Sequence, residues 1–248
     1  MILLFMLFLS LSLRQKGLRL FMRPVDKGAS PVTAYKAYGD AISDLERRLG
    51  HYCSYCERRL ETHLAVEHVQ PKSLVPSLTL TWVNFLLACD NCNSCKSDSP
   101  INLPDYLWPD IDNTLRAFRY RKGGIIRVDT SISAQLQRKA KATLMLLGLD
   151  RVPGGRVPPT KNDMRWDRRR LTWDKAIRAK DRLGTADSIA FREQIVDTAQ
   201  ESGMFSIWWE VFTGDVDMRK RFRQAFVGTC SNSFDANENL QARNGGQL

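Results

Sequence analysis

From Thr33 to Leu49 the apolar side chains Tyr35, Tyr38, Ile42, Leu45 and Leu49 recur at intervals of three and four, the period of one helical face, and Gly50 supplies a stop. The period then shortens. LAVEHV (64–69) alternates and predicts a short strand, whereas TWVNFLLAC (81–89) is almost continuously apolar and predicts a helical turn leading into Cys89. Beyond Pro100, Pro104 and Pro109, LRAFRYRKGGIIRVDT predicts a hairpin that turns at Gly123-Gly124. Helical periodicity takes over from there. Ser131 is the expected N-cap of a helix with Leu136, Ala140, Leu144 and Leu147 on one face and Gly148 as its stop. Further helices are expected over 161–183, 188–202 and 218–226, after the linker RVPGGRVPPT (151–160). The fold class is therefore α+β in a front half and helical in a back half.

The first 13 residues, MILLFMLFLSLSL, are too short to span a membrane comfortably, and Arg14, Lys16 and Arg19 follow them, the wrong side for a signal peptide. Met22 opens a segment that reads as a natural start. Residues 1–21 are thus expected to be a non-native extension, 22–130 an α+β domain with an N-terminal helix, 131–230 a helical basic region and 231–248 a flexible polar tail. No membrane partner is expected, since no second apolar run of spanning length follows.

Charge narrows the partner class. The chain has 248 residues and a net charge of +10, and the stretch 131–185 holds 14 Lys+Arg against 5 Asp, almost the whole excess. An acidic partner such as nucleic acid fits, although solvated helix faces give the same count. Within RWDRRRLTWDKAIRAKDRLG, Arg165, Arg168 and Arg169 are candidate nucleic-acid contacts, with Trp166 and Trp173 among them. MFSIWWEVF (204–212) reads as core or, less readily, as a partner surface.

Five of the six cysteines lie in two clusters, 53/56 and 89/92/95, which favours a metal site over disulfides and a reducing, cytoplasmic setting. Cys53-x-x-Cys56 and Cys89-x-x-Cys92 each have the spacing at which two thiolates on one tight turn reach a tetrahedral zinc. Cys95 is then surplus. Between and beside the pairs stand Glu67, His68, Asn84 and Asn93: a carboxylate, an imidazole and amide oxygens suit a hard cation and a general base. Singly, each is an ordinary core, surface or capping residue; their order between the cysteine pairs is what carries information. His51 and His63 read as structural or exposed, with His51 placed to bond a zinc thiolate.

CSYC, VEHVQPKS, the Asn within TWVNFLLAC, and CDNCNSCK together resemble the HNH endonucleases over about residues 50–98. The resemblance implies a ββα-metal (His-Me) finger stapled by a structural zinc. It also implies His68 as general base and Glu67 with Asn93 as ligands of a catalytic Mg²⁺ or Mn²⁺. Asn84 would fix the backbone and ring of His68, and Lys72 and Lys96 would meet phosphate. MRPVDKGASP with YGDAISDLERRLGHYCSYCERRL is similar, more narrowly, to the HNH subunits of Septu-type anti-phage systems (PtuB-like). Those act on nucleic acid beside an ATPase subunit (PtuA-like) in a hetero-oligomer. The function implied is phosphodiester hydrolysis, DNA favoured over RNA. A stand-alone modification-dependent restriction nuclease and a non-catalytic zinc module remain the alternatives.

Overall fold

The computed structural model describes residues 22–62 and 64–248, so the expected extension 1–21 and His63 lie outside the described residues. The front half is built on a two-stranded finger. β1 (Leu64–His68) pairs antiparallel with β2 (Phe85–Cys89), with Leu64 opposite Cys89 and His68 opposite Phe85, and α2 (Asp90–Lys96) follows at once. The expected helical turn at 81–89 is corrected: only Trp82–Asn84 forms a 3₁₀ turn, and FLLAC is a strand. A short apolar run does not distinguish a buried helix from a buried strand, and here β1 supplies the pairing that decides it. All five β2 residues are buried.

The N-terminal helix is shorter than its periodicity predicts. Residues 33–37 are not helical, Tyr38–Ala41 is a 3₁₀ turn in which Asp40 accepts from the Ala37 N–H, and only Ile42–Leu49 is α1. Tyr35 and Tyr38 are thereby freed for other contacts. Tyr35 stacks on Trp82 at 6.1 Å, while Leu45 and Leu49 remain in the core.

Beyond the finger, still within 22–130, β3 (Phe118–Arg121) and β4 (Ile125–Val128) form the expected hairpin. The helices of the back half are α3 (Ala134–Leu146), α4 (Arg165–Thr185), α5 (Ile189–Ser202), α6 (Phe205–Val211) and α7 (Val216–Ala225). The cap of α3 is Ser133, whose hydroxyl accepts from Leu136 N–H; Ser131 instead donates its N–H to Asp129. Trp208 and Trp209 are both fully buried, which makes MFSIWWEVF core and not a partner surface.

Two glycines let the halves approach. A Cβ on Gly203 (φ +65°) would stand 2.6 Å from Arg59 N, so the α5–α6 corner lies against the first cysteine knuckle. A Cβ on Gly124 (φ +71°) would stand 2.6 Å from Trp166 O, where the hairpin turn meets α4. One cluster of buried apolar side chains runs from Met22 to Leu248. Residues 231–248, expected to fray, are docked: Asn113 Nδ2 donates to Ser233 O and Gln241 O, and Leu248 is buried. Polar composition misleads there because the segment's polar groups bond to the body of the fold.

Glu210 of α6 is buried, and neither carboxyl oxygen has a hydrogen-bond partner among the described residues. Burial pushes its carboxyl up to about 8, against the pull of Arg219, Arg119, Arg121 and Lys180. The folded form therefore binds this proton more tightly than the unfolded one. Stability is full below about pH 4.3, the unfolded value, and declines as pH rises towards about 8. Glu210→Gln should remove a loss on the order of a few kcal/mol between those limits. Urea unfolding of both proteins at mildly acidic and mildly alkaline pH checks this, and an equal decline in both would refute it.

Candidate active site

Cys53 and Cys56 sit in a turn closed by Cys53 N–H to Arg58 O and Glu57 N–H to Cys53 O, with Glu57 at φ +60°. Cys89 ends β2 and Cys92 lies in the first turn of α2, so the second pair straddles a strand-to-helix junction. The four buried sulfurs lie within 4.8 Å of one another, and Cys56 Sγ is 3.7 Å from Cys89 Sγ. Zinc–sulfur bonds of about 2.3 Å at tetrahedral angles put sulfurs about 3.8 Å apart, so the donor set fits zinc. Donation from the Cys53, Cys56 and Cys92 thiols holds Cys89 far below the usual thiol range, while burial and the neighbouring sulfurs push Cys92 up.

Two guanidinium groups flank the cluster. Arg165 Nη1 lies 3.2 Å from Cys92 Sγ and 2.7 Å from Leu147 O, and Nη2 lies 3.4 Å from Cys95 Sγ. Asp163 completes its set by an ion pair at 2.7 Å. Arg58 lies on the other side, where burial alone would lower it but the Cys56 and Cys89 sulfurs raise it. Cationic partners suit a site whose four thiolates outweigh a zinc dication. His51 takes no part: its Nδ1 faces Glu46 at 3.7 Å. Cys95 stands outside the four-sulfur set.

The same ββα unit builds a cavity of about 450 Å³ whose lining includes Glu67, His68, Lys72, Asn93 and Lys96. His68 Nε2 is 2.9 Å from Thr79 O. A carbonyl only accepts, so Nε2 carries the proton and Nδ1 keeps the lone pair. Burial lowers the imidazole below its ordinary value, with Lys72 and Lys96 adding to the effect and the Thr79 carbonyl opposing it. Phe85 packs edge-on against the ring at 5.3 Å and Tyr38 at 5.1 Å. Asn84 holds the connecting loop rather than the ring itself. Its Oδ1 accepts from Gln70 N–H at 2.8 Å, and Nδ2 donates to Gln70 O and Leu78 O, one residue before the Thr79 carbonyl.

Glu67 and Asn93 line this cavity with His68, and the exposed Asp98 joins them. Oxygen donors of this kind suit a hard divalent ion. Lys96 is the principal correction. Its ammonium is buried, donating to His68 O at 2.7 Å and pairing with Glu67 Oε1 at 2.8 Å, so it supports the Glu67-His68 pair instead of meeting phosphate. Arg165 and Arg169 are corrected likewise. Arg165 is spent on the sulfurs and carbonyls, and Arg169 donates to Gly124 O and Leu149 O, both guanidiniums being 1% exposed. Arg168 and Lys72 are exposed, with the Lys72 ammonium 4.1 Å from the Tyr38 ring centroid.

Sequence reasoning missed Tyr38, Thr79 and Arg165 in these positions. Tyr38 stands outside the cysteine-bounded segment and reads as one more apolar helix position. Thr79 acts through a backbone carbonyl that has no side-chain signature. Arg165 reaches Cys92 across 73 residues.

Purified chain should hold one tightly bound zinc by elemental analysis, and Cys53→Ser or Cys92→Ser should lower zinc content and folded yield together. Cys95→Ser should retain both; loss of zinc in Cys95→Ser would contradict the four-sulfur assignment. Lys96→Met should leave Glu67 an uncompensated buried charge and cost about 3–5 kcal/mol in denaturant unfolding. Wild-type stability in Lys96→Met would show that the ammonium is not buried against Glu67.

Residues 53–99 match the family model described as HNH endonuclease. A curated relative, Septu protein PtuB of Bacillus thuringiensis, is 32% identical over 87 residues, covering 32% of this chain and 34% of that protein. The chain thus spans about a third of the length of the curated relative that it matches. With the four-sulfur cluster and the ββα finger between β1 and α2, residues 53–99 form an HNH endonuclease domain.

Proposed function

We propose that this chain is a metal-dependent endonuclease that hydrolyses phosphodiester bonds, in DNA rather than RNA, as the nuclease subunit of a Septu-type anti-phage complex with a PtuA-like ATPase. The observation that carries the catalytic part is the tautomer of His68: with Nε2 bonded to the Thr79 carbonyl, Nδ1 is a lone-pair nitrogen on a residue lining the same cavity as Glu67 and Asn93. The defence assignment rests on the likeness to Septu protein PtuB. Four zinc thiolates must stay reduced, which favours the cytoplasm. No helix among the described residues is long and apolar enough to cross a membrane.

In this reading His68 Nδ1 takes a proton from water as the water oxygen bonds to phosphorus. The phosphorus–oxygen bond to the 3′ leaving group breaks, and that oxygen is protonated from solvent. Glu67 and Asn93 would hold a divalent ion, Mg²⁺ or Mn²⁺, which would supply positive charge against that developing on the phosphate and leaving oxygens. Lys96 holds Glu67 and the His68 backbone from the buried side, and Asn84 holds the loop that presents the Thr79 carbonyl. Lys72, exposed on the rim, meets the incoming polyanion. The zinc is structural.

His68→Ala should lower cleavage by about 10²–10⁴-fold with zinc content and melting temperature preserved, since only the base is removed. The neutral imidazole is the active form, and its lowered value places the acid limb of wild-type activity below the ordinary imidazole range. Cleavage of plasmid DNA by the chain co-expressed with its neighbouring ATPase, against pH and with Mg²⁺ or Mn²⁺ added, measures both. Unchanged cleavage by His68→Ala would overturn the assignment.

A further inference from the structure

α4 is 21 residues long and carries a row of exposed cations. Arg168, Leu171, Lys175, Arg178 and Arg182 follow one another at intervals of three and four, and all five are exposed. The acids of the helix, Asp167, Asp174 and Asp181, each fall one position earlier than Arg168, Lys175 and Arg182, about 100° round the axis. Arg170 faces two of them, at 2.9 Å from Asp167 and 3.8 Å from Asp174. The basic face has no such neutralisation: Arg168, Arg178 and Arg182 have no ion-pair or side-chain hydrogen-bond partner among the described residues, and Lys175 bonds only the neutral Ser202 hydroxyl. Arg170 makes the i,i+4 pairing that is usual on a solvated helix, whereas Arg168, Lys175, Arg178 and Arg182 form no ion pair among the described residues, although Asp174 and Asp181 lie within a turn of Arg178.

The neighbouring helix extends the pattern. A groove of about 150 Å³ between α4 and α5 is walled by Lys175, Arg178 and Arg182 on one side and by Phe191, Gln194 and Thr198 on the other, and no carboxylate lines it. α5 carries Glu193, Asp197 and Glu201, yet it turns neutral side chains towards the cations. The stripe also begins beside the HNH finger. Arg165, three residues before Arg168, is bonded to the Cys92 and Cys95 sulfurs of α2, the helix that carries Asn93.

We infer that the basic face of α4, from Arg168 to Arg182 with the α4–α5 groove, is a docking surface for the phosphate backbone of duplex DNA. The inference rests on the nuclease reading for its choice of polyanion and on the charge arrangement for its place. The fifteen residues from Arg168 to Arg182 rise about 21 Å, enough for four cations to meet phosphates along one strand. The contacts read no sequence. They hold the duplex while the cavity at His68 acts on one bond.

The test measures binding of a labelled duplex of about 30 base pairs, long enough to pass the whole helix, by full-length His68→Ala without added divalent ion, so that nothing is cut. Adding Arg178→Glu and Arg182→Glu should weaken binding at least tenfold and reduce the slope of log affinity against log salt by about 2, the loss of two phosphate contacts. The control pair Lys220→Glu and Arg138→Glu makes the same change in net charge on α7 and α3 and should act much less. Helical circular dichroism confirms folding, and Arg178→Gln with Arg182→Gln gives a milder version of the same loss. In the His68-bearing chain the α4 pair should leave hydrolysis of a small phosphodiester, bis(p-nitrophenyl) phosphate, unchanged, because that substrate needs only the cavity. Duplex binding that is unaffected by the α4 pair, or weakened equally by the control pair, overturns the inference. So does loss of binding to polyglutamate with duplex binding retained, which would assign the stripe to an acidic protein. If duplex binding depends on the stripe but the His68-bearing chain cuts neither substrate with Mg²⁺ or Mn²⁺, alone or co-expressed with the ATPase, the surface stands and the nuclease reading fails.

Discussion

Four sulfurs meeting within 4.8 Å close the two ends of the finger on each other, and the geometry of the cavity descends from that closure. One pair comes from a turn ahead of β1 and the other from the junction of β2 and α2. Tying them fixes the register in which His68 lies opposite Phe85 and starts α2 in the orientation that brings Lys96 under β1. A zinc in such a site contributes on the order of 10 kcal/mol of folding free energy, more than a small two-stranded sheet could supply for itself. The four-sulfur site is thus the condition for the shape of the cavity.

The cavity is a case of buried charge used for position. Lys96 and Glu67 are both almost fully buried, and such a pair is at best weakly stabilising against an apolar substitute. What it secures is orientation: the ammonium also holds the His68 carbonyl, so the carboxylate and the imidazole backbone are located by one group. On the opposite side the Thr79 carbonyl fixes the imidazole tautomer, and the loop carrying it is fixed by Asn84. Each catalytic candidate is therefore held by a neighbour that does not itself enter the chemistry.

The back half is joined to this centre by charge as well as by packing. Arg165 lies between the Cys92 sulfur, two carbonyls that follow α3, and Asp163. The α5–α6 corner reaches the first knuckle through Gly203. Helices that read as a separate basic region are thereby continuous with the metal finger in one apolar cluster.

The four-cysteine cluster was legible in the sequence because local spacing constrains it, two thiolates on one turn; Glu67, His68, Asn84 and Asn93 stood out by their order between the pairs and by the HNH resemblance, and the fold brings Glu67, His68 and Asn93 to one cavity. Four of the five helices of the back half were legible from periodicity, α6 not among them, and the strand at FLLAC was not, since its pairing partner lies some twenty residues away. Which charged residues are buried was decided by tertiary structure alone. Along α4, Arg165, Arg168 and Arg169 are alike in type and nearly adjacent, yet two are sealed inside and one faces water. The difference lies in acceptors that arrive from elsewhere in the chain, the Leu147, Leu149 and Gly124 carbonyls and the Cys92 sulfur. A guanidinium leaves water only where such acceptors replace its hydration, and only the folded chain brings them together.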